Sequence, residues 1–246
     1  MAELSASLAH EIKNPLASIR SAVEQFTSPR LEDRDRASLT RMVVRESDRL
    51  SRLLTDFLDF SRSHVDRMEP VALGEVLRDV LVVIRQHPRM EACSLRVEDR
   101  IEDATILASA DLLHRALLNL LLNAVQFSPE GALVEVSLER VEYLPQGVEV
   151  DLPVLLRIRD HGPGIPPEGL ERIFDPFYTT RDGGSGLGLA VAYRMVQSHG
   201  GYVLVENPEG GGAEFRIYLP SLPSRVAGTR TPMSDTPMSE PEEAVP

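Results

Sequence analysis

The sequence predicts an α + α/β protein: a helical hairpin forming a dimeric four-helix bundle, followed by a mixed α/β domain. Three observations carry this expectation. Two long stretches before Ser63 repeat apolar residues at helical spacing, beyond about Val71 short alternating runs take over, and a glycine-rich segment at Gly183–Gly188 leads straight into a late helix.

The first stretch, Leu4 to Arg20, carries Leu4, Leu8, Ile12, Leu16 and Ile19, and continues to Val23 and Phe26. Spacings of four and three place these residues on one helical face. At about 100° per residue, His10 lies roughly 200° from Leu8, on the opposite side and towards solvent. Glu11 follows it directly, Asn14 stands one turn on, and Pro15 should bend the helix there because it lacks a backbone N–H. Thr27-Ser28-Pro29-Arg30 reads as a turn. A second helix from about Leu31 to Ser63 repeats the pattern with Leu39, Met42, Val43, Leu50, Leu53, Leu54, Phe57 and Phe60. One hairpin cannot cover stripes this long, and two copies make a bundle, so a homodimer is expected.

The polar, aperiodic stretch His64–Pro70 reads as a linker, giving a hairpin domain over 1–64, a linker over 65–70 and an α/β domain over 71–220. Within the last, helices are expected at Gly74–His87, Asp111–Phe127 (with Asp111 as N-cap) and Leu187–His199. Strands are expected at Ser94–Arg100, Thr105–Ser109, Leu133–Val141, Val154–Asp160, Gly201–Glu206 and Ala213–Leu219. Pro145-Gln146-Gly147 is a turn, and Pro208–Gly212 joins the last two strands as a hairpin. The core of this domain should not depend on the hairpin. Residues 221–246 are rich in Pro, Ser, Thr and Glu, a composition that cannot bury a core and predicts a disordered tail.

A net charge of −12 argues against nucleic acid as a partner. No apolar run approaches the roughly 18 residues of a membrane span, and no secretory pattern opens the chain. Cys93 is the single cysteine, which excludes a disulfide framework or a cysteine metal cluster and fits the cytoplasm. Lys13 is the only lysine among 26 cationic residues. A P-loop and the usual protein-kinase site both need a lysine elsewhere, so both are excluded.

Four stretches carry chemistry. In His114–Pro129, Asn119 and Asn123 project from one face of an apolar helix, where unpaired amides would be costly. Asp160-His161-Gly162-Pro163-Gly164 ends a strand; its carboxylate can accept from an exocyclic amine, and its glycines let a planar ring approach the backbone. Ile173–Thr180 is an aromatic cluster too irregular for a strand. Gly183–Ala190 places glycine amides ahead of a helix N-terminus, a cradle for phosphate.

With these four in this order after His10, the chain from Leu4 to Leu219 resembles the catalytic core of two-component sensor histidine kinases. His10 and its neighbours match the H box, Asn119 and Asn123 the N box, and Asp160–Gly164 the G1 box. Phe174–Tyr178 matches the F box and Gly184–Gly188 the G2 box. The resemblance implies a dimerisation and phosphotransfer hairpin followed by an α/β sandwich ATP-binding domain of the gyrase, Hsp90 and histidine-kinase type. It implies ATP and Mg²⁺, the metal on Asn123, and the adenine amine read by Asp160. The implied nucleotide set is Asn119, Asn123, Phe127, Asp160, Gly162, Gly164, Ile165, Tyr178, Thr179, Thr180, Arg181, Gly184, Ser185, Gly186, Leu187, Gly188 and Leu189, with Arg181 near the γ-phosphate. Gln126 stands where many members carry a basic residue, and His161 replaces a common Asn.

In this reading His10 is the nucleophile, Glu11 holds the proton of its other ring nitrogen, and Asn14 positions water against a phosphorylated partner. The partner is a response-regulator receiver domain. Membrane attachment, if any, would come through a sensor region upstream. Two rivals stand beside it: an ATPase of the same fold, for which the amide of Asn119 is a poor base, and a non-catalytic nucleotide-binding scaffold.

Overall fold

The computed structural model describes residues 2–26, 32–61, 67–101, 104–181 and 184–223. The turn at Thr27–Arg30, the hairpin end and linker over 62–66, Gly183, and the tail from 224 onward lie outside the described residues. Helix α1 (Ala2–Phe26) runs without interruption through Pro15 and packs along α2 (Asp33–Ser61). The seam between them follows a heptad rather than the whole apolar stripe. On α1, Pro15 and Ala22 are buried and Leu8 half-buried; on α2, Leu39, Leu53 and Phe60 are buried and Glu46 half-buried. Leu16, Val23 and Leu54 of the same stripes, and Leu58 beside them, stay between 42% and 51% exposed. One edge of each stripe thus closes the hairpin and the other edge is left uncovered.

The α/β domain contains each helix and strand expected of it, with ends differing by one or two residues. Helices α3 (Leu73–Arg85), α4 (Ala110–Phe127) and α6 (Gly188–Ser198) cover one face of a five-stranded sheet, and α5 (Pro167–Leu170) is a single turn. The strands are β2 (Ser94–Asp99), β4 (Leu133–Arg140), β5 (Pro153–Arg159), β7 (Glu214–Pro220) and β6 (Tyr202–Glu206), in that spatial order. β2 and β4 are parallel and the remaining pairs antiparallel. Alternation sets the layers. Val134, Val136, Leu138, Leu156, Ile158, Phe215 and Ile217 face the helices, while Glu139, Arg157, Glu214 and Arg216 form an ion-paired row on the other face.

Four corrections to the expected elements emerge. Glu69–Ala72, whose first two residues fall in the expected linker, is strand β1, antiparallel to β3 (Thr105–Ala108) with Pro70 opposite Leu107. Four residues are too few to show a period, and proline is tolerated because the strand lies at a sheet edge. Asp111 is not the N-cap of α4; Ser109 occupies that position, without a side-chain cap bond. Its backbone N–H donates instead to Nε2 of the buried His199 at 3.0 Å, whose Nδ1 lies 2.5 Å from the Met195 carbonyl, so one imidazole pins α4 to the end of α6. Ser221, assigned to the tail, is buried and bonds the Leu152 carbonyl through its hydroxyl.

The fourth correction concerns independence. Phe60 of α2 belongs to the core of the α/β domain. The Arg194 guanidinium of α6 lies 4.3 Å over its ring and donates to its carbonyl. The hairpin therefore docks against α6.

Candidate functional site

Where α2 meets the α/β domain, a cavity of about 290 Å³ opens between α4, the loop after β5, the Ile173–Arg181 segment and the head of α6. Asn119, Asn123, Gln126 and Phe127 line it from α4, one turn apart on the edge of an otherwise buried helix. Among the described residues neither the Asn119 nor the Asn123 side chain has a protein hydrogen bond, although both residues are half-buried. Two amides left open on so apolar a helix suit a polar ligand.

Asp160 follows β5 and is 3% exposed. Its Oδ1 accepts from the N–H groups of Gly162 at 2.9 Å and Ala213 at 3.2 Å. Both bonds use one oxygen, which leaves Oδ2 able to accept from an amine in the cavity. Burial pushes this carboxyl above its usual range, against the pull of the two amide donors. Gly162 is required for another reason: a Cβ there would stand 2.6 Å from the Phe127 carbonyl, so the loop packs flat on the end of α4.

The aromatic segment divides its work. Phe174 stacks on Tyr193 at 4.7 Å and meets Phe215 edge-on, which is core packing. Tyr178 lines the cavity beneath the Arg172 guanidinium. Phe177, with φ 68°, donates its N–H to the Gly186 carbonyl at 2.9 Å. A Cβ on Gly186 would sit 2.4 Å from the Phe177 carbonyl carbon, so this glycine lets the loop ahead of α6 lie on the aromatic segment. Gly184, Ser185, Gly186, Gly188 and Leu189 then form the cavity wall at the helix head.

Of the nucleotide residues expected from sequence, the cavity brings together all but two. Leu187 is fully buried in the core, and Gly162 faces a shallow neighbouring cleft shared with Arg89, His161 and Arg181. Arg181 is exposed and donates to the Gln126 side-chain oxygen; burial of part of its guanidinium and the nearby Arg89 and Arg52 push it below its usual value. His161 bonds the Leu133 carbonyl at 2.8 Å through Nδ1.

The hairpin residues are placed differently. His10 and Asn14 are exposed on α1 and do not line the cavity. The Glu11 carboxylate is engaged by Arg49 at 3.4 Å, and not by the His10 ring as the sequence suggests. Arg49 itself lines the cavity, as do Arg52, Leu53 and Asp56 of α2. Of these, the sequence singles out only Leu53, as part of the apolar stripe. The spacing of Arg49, Arg52 and Asp56 groups them on the charged face of α2, and nothing local marks which part of it is docked.

Residues 1–64 match the family model of the His Kinase A (phospho-acceptor) domain. Residues 108–223 match that of the histidine kinase-, DNA gyrase B- and HSP90-like ATPase. Sensor histidine kinase ZraS of Salmonella typhi is 33% identical over 90% of this chain and 46% of its own length. The chain thus spans about half the length of the curated relatives it matches. The solved mycobacterial sensor histidine kinase MprB is 32% identical, covering 63% of this chain and 99% of that one, with a TM-score of 0.55. Histidine kinase ThkA, solved in complex with response regulator protein TrrA, is 26% identical over 91% of this chain and 62% of that one, with a TM-score of 0.72.

Proposed function

The chain belongs to the sensor histidine kinase family of two-component systems, and from that premise we propose that it transfers the γ-phosphoryl group of Mg-ATP to His10 and then to an aspartate of a response regulator. The observation that carries this reading is the single cavity joining Asn119, Asn123, Asp160, Tyr178 and the glycine segment of α6, bordered by the helix hairpin that presents His10.

Adenine would lie against Asp160, whose second carboxylate oxygen accepts from the exocyclic amine. The phosphates would run towards Gly184–Gly188, where backbone amides and the α6 N-terminus favour negative charge. Mg²⁺, when bound, would neutralise charge on the phosphoryl group, and the open amide oxygen of Asn123 would suit such a hard cation. Among the described residues no group of three His, Cys, Asp or Glu side chains stands ready to hold a metal unaided.

His10 attacks the γ-phosphorus through an unprotonated ring nitrogen. The P–N bond forms as the bond to the β–γ bridging oxygen breaks, and ADP leaves with that oxygen. Glu11, held by Arg49, stands beside the nucleophile as a fixed negative charge that favours the imidazolium developing in the transfer. The phosphoryl group then passes to a receiver-domain aspartate docked on the exposed side of α1; the ThkA complex with its response regulator supports that partner. The uncovered apolar edges at Leu16, Val23, Leu54 and Leu58 support a homodimer through the hairpin.

An ATPase of this fold needs a group to activate water, and the amide of Asn119 favours transfer over hydrolysis. Incubation of the chain with γ-labelled ATP tests the proposal. Protein-bound label that is acid-labile and base-stable is expected for phosphohistidine; nucleotide turnover with no such label would favour the ATPase instead.

A further inference from the structure

The turn between β6 and β7, expected from sequence as a plain hairpin connection, grips the loop after β5 at both of its ends. Ala213, just before β7, donates its N–H to Asp160 Oδ1 at 3.2 Å, and its carbonyl accepts the Asp160 N–H at 3.0 Å. Asn207, just after β6, pairs with Ile165 through its side-chain amide. Its Oδ1 accepts the Ile165 N–H at 2.9 Å, and its Nδ2 donates to the Ile165 carbonyl at 2.6 Å. Gly212 lets the two segments meet, since a Cβ there would overlap the Asp160 carbonyl oxygen. Arg159 of β5 donates to the Glu209 carbonyl at 3.4 Å, in the middle of the turn.

Asp160, Gly164, Ile165 and Ala213 line the cavity, whereas Asn207 does not. Asn207 is exposed, and its hold on the site runs through the Ile165 backbone. Ile165 packs its side chain against the core, and its two backbone groups find their partners on Asn207 instead of on a neighbouring strand. Between the two tethers lie only His161, Gly162, Pro163 and Gly164. The Gly162 N–H donates to the same Asp160 Oδ1 that Ala213 binds. With Ile165 released, this glycine-bearing stretch can swing and the Gly162 bond is lost. The Asp160 carboxylate is then free to turn away from an amine in the cavity.

We infer that Asn207 is a positioning residue for base recognition: by clamping Ile165 it holds the loop after β5 in place and so fixes the Asp160 oxygen that reads the exocyclic amine. This rests on the nucleotide reading above and adds to it a residue outside the cavity wall. The clamp acts at the base and not at the phosphates, whose cradle at Gly184–Gly188 lies ahead of α6. Its loss therefore costs discrimination between bases more than it costs the hold on phosphate.

The test is calorimetric affinity for ADP and IDP, each with Mg²⁺, on the full chain and on Asn207→Ala, Asn207→Asp and Glu209→Ala. IDP carries a carbonyl where ADP carries the amine, so the unaltered chain should prefer ADP. Asn207→Ala should bind ADP about five- to ten-fold more weakly and IDP by less than about two-fold, so the preference shrinks. Asn207→Asp keeps the acceptor for the Ile165 N–H and should recover part of it. Glu209→Ala keeps the carbonyl that Arg159 binds and should match the unaltered chain. Hydrogen exchange gives a readout without nucleotide, since the Ile165 amide should exchange faster in Asn207→Ala. Unchanged Ile165 exchange, an unchanged ADP preference, or equal losses for the two nucleotides would overturn the positioning role. If the unaltered chain bound neither nucleotide, or both equally, the adenine reading itself would fall and the role with it, a result visible before any substitution is made. Thermal melts on each variant separate a binding loss from unfolding, which is not expected at an exposed residue outside the left-handed region.

Discussion

The Ser185 hydroxyl donates to Asp56 Oδ2 at 2.6 Å, linking the loop ahead of α6 to helix α2 across the cavity. Burial pushes the Asp56 carboxyl above its usual value of 3.8, opposed by the Ser185 bond and by Arg52. A raised native pKa means that the folded state holds its proton longer than the unfolded state does. Between 3.8 and the raised value the folded chain binds more protons, so this group's contribution falls as pH rises through that window and is a constant penalty above it. Asp56→Asn removes the penalty while its amide oxygen still accepts from Ser185. At pH 7 its melting temperature should equal that of the unaltered chain or exceed it by up to about 3 °C. The difference should vanish below the window. A variant less stable at pH 7 would show that the ionised carboxylate holds the contact.

His10→Gln should lose acid-labile labelling entirely while keeping nucleotide affinity within about two-fold, because His10 is exposed and outside the cavity wall. Persisting label at normal stoichiometry would place the nucleophile elsewhere.

Asn123→Ala should weaken Mg-ATP binding by about ten-fold or more, yet weaken metal-free ATP far less. The Asn123 side chain makes no protein hydrogen bond among the described residues, so little folding stability should be lost. Equal losses with and without Mg²⁺ would assign it to contacts with the nucleotide alone.

Leu54 is 51% exposed in one chain, so Leu54→Glu should leave the chain folded. Sedimentation at micromolar concentration should show the variant as a monomer and the unaltered chain as a dimer, since a charge on that edge cannot be buried unpaired. A monomeric unaltered chain would contradict the bundle.

Asn14 is exposed four residues after His10, one turn on and roughly 40° around the helix. Its amide can hold a water against the phosphoaspartate of a docked regulator without acting as a base. Asn14→Ala should keep most labelling of His10 but lengthen the lifetime of the phosphorylated regulator by about ten-fold. If the regulator decays equally fast with the unaltered chain, with the variant and alone, the chain acts only as a kinase.

The sequence by itself determined the parts whose signal is local. The 3.6-residue stripes wrote α1 and α2, the two-residue alternation wrote the sheet, and the Asn119–Asn123 spacing put two amides on one face of α4. Glycines mark Gly162 and Gly186 because only a missing Cβ permits the backbone approaches found there. Only the tertiary structure decided which edge of each apolar stripe closes the hairpin, that Glu69–Ala72 pairs as a strand, and that His199 pins two helices. It also decided that Arg49, Arg52 and Asp56 reach the cavity while the rest of α2's charged face stays in water. A charged residue on a solvated helix and one docked against a neighbouring domain share the same local pattern. What separates them is a contact more than a hundred residues away, such as Asp56 with Ser185, and no local spacing encodes that.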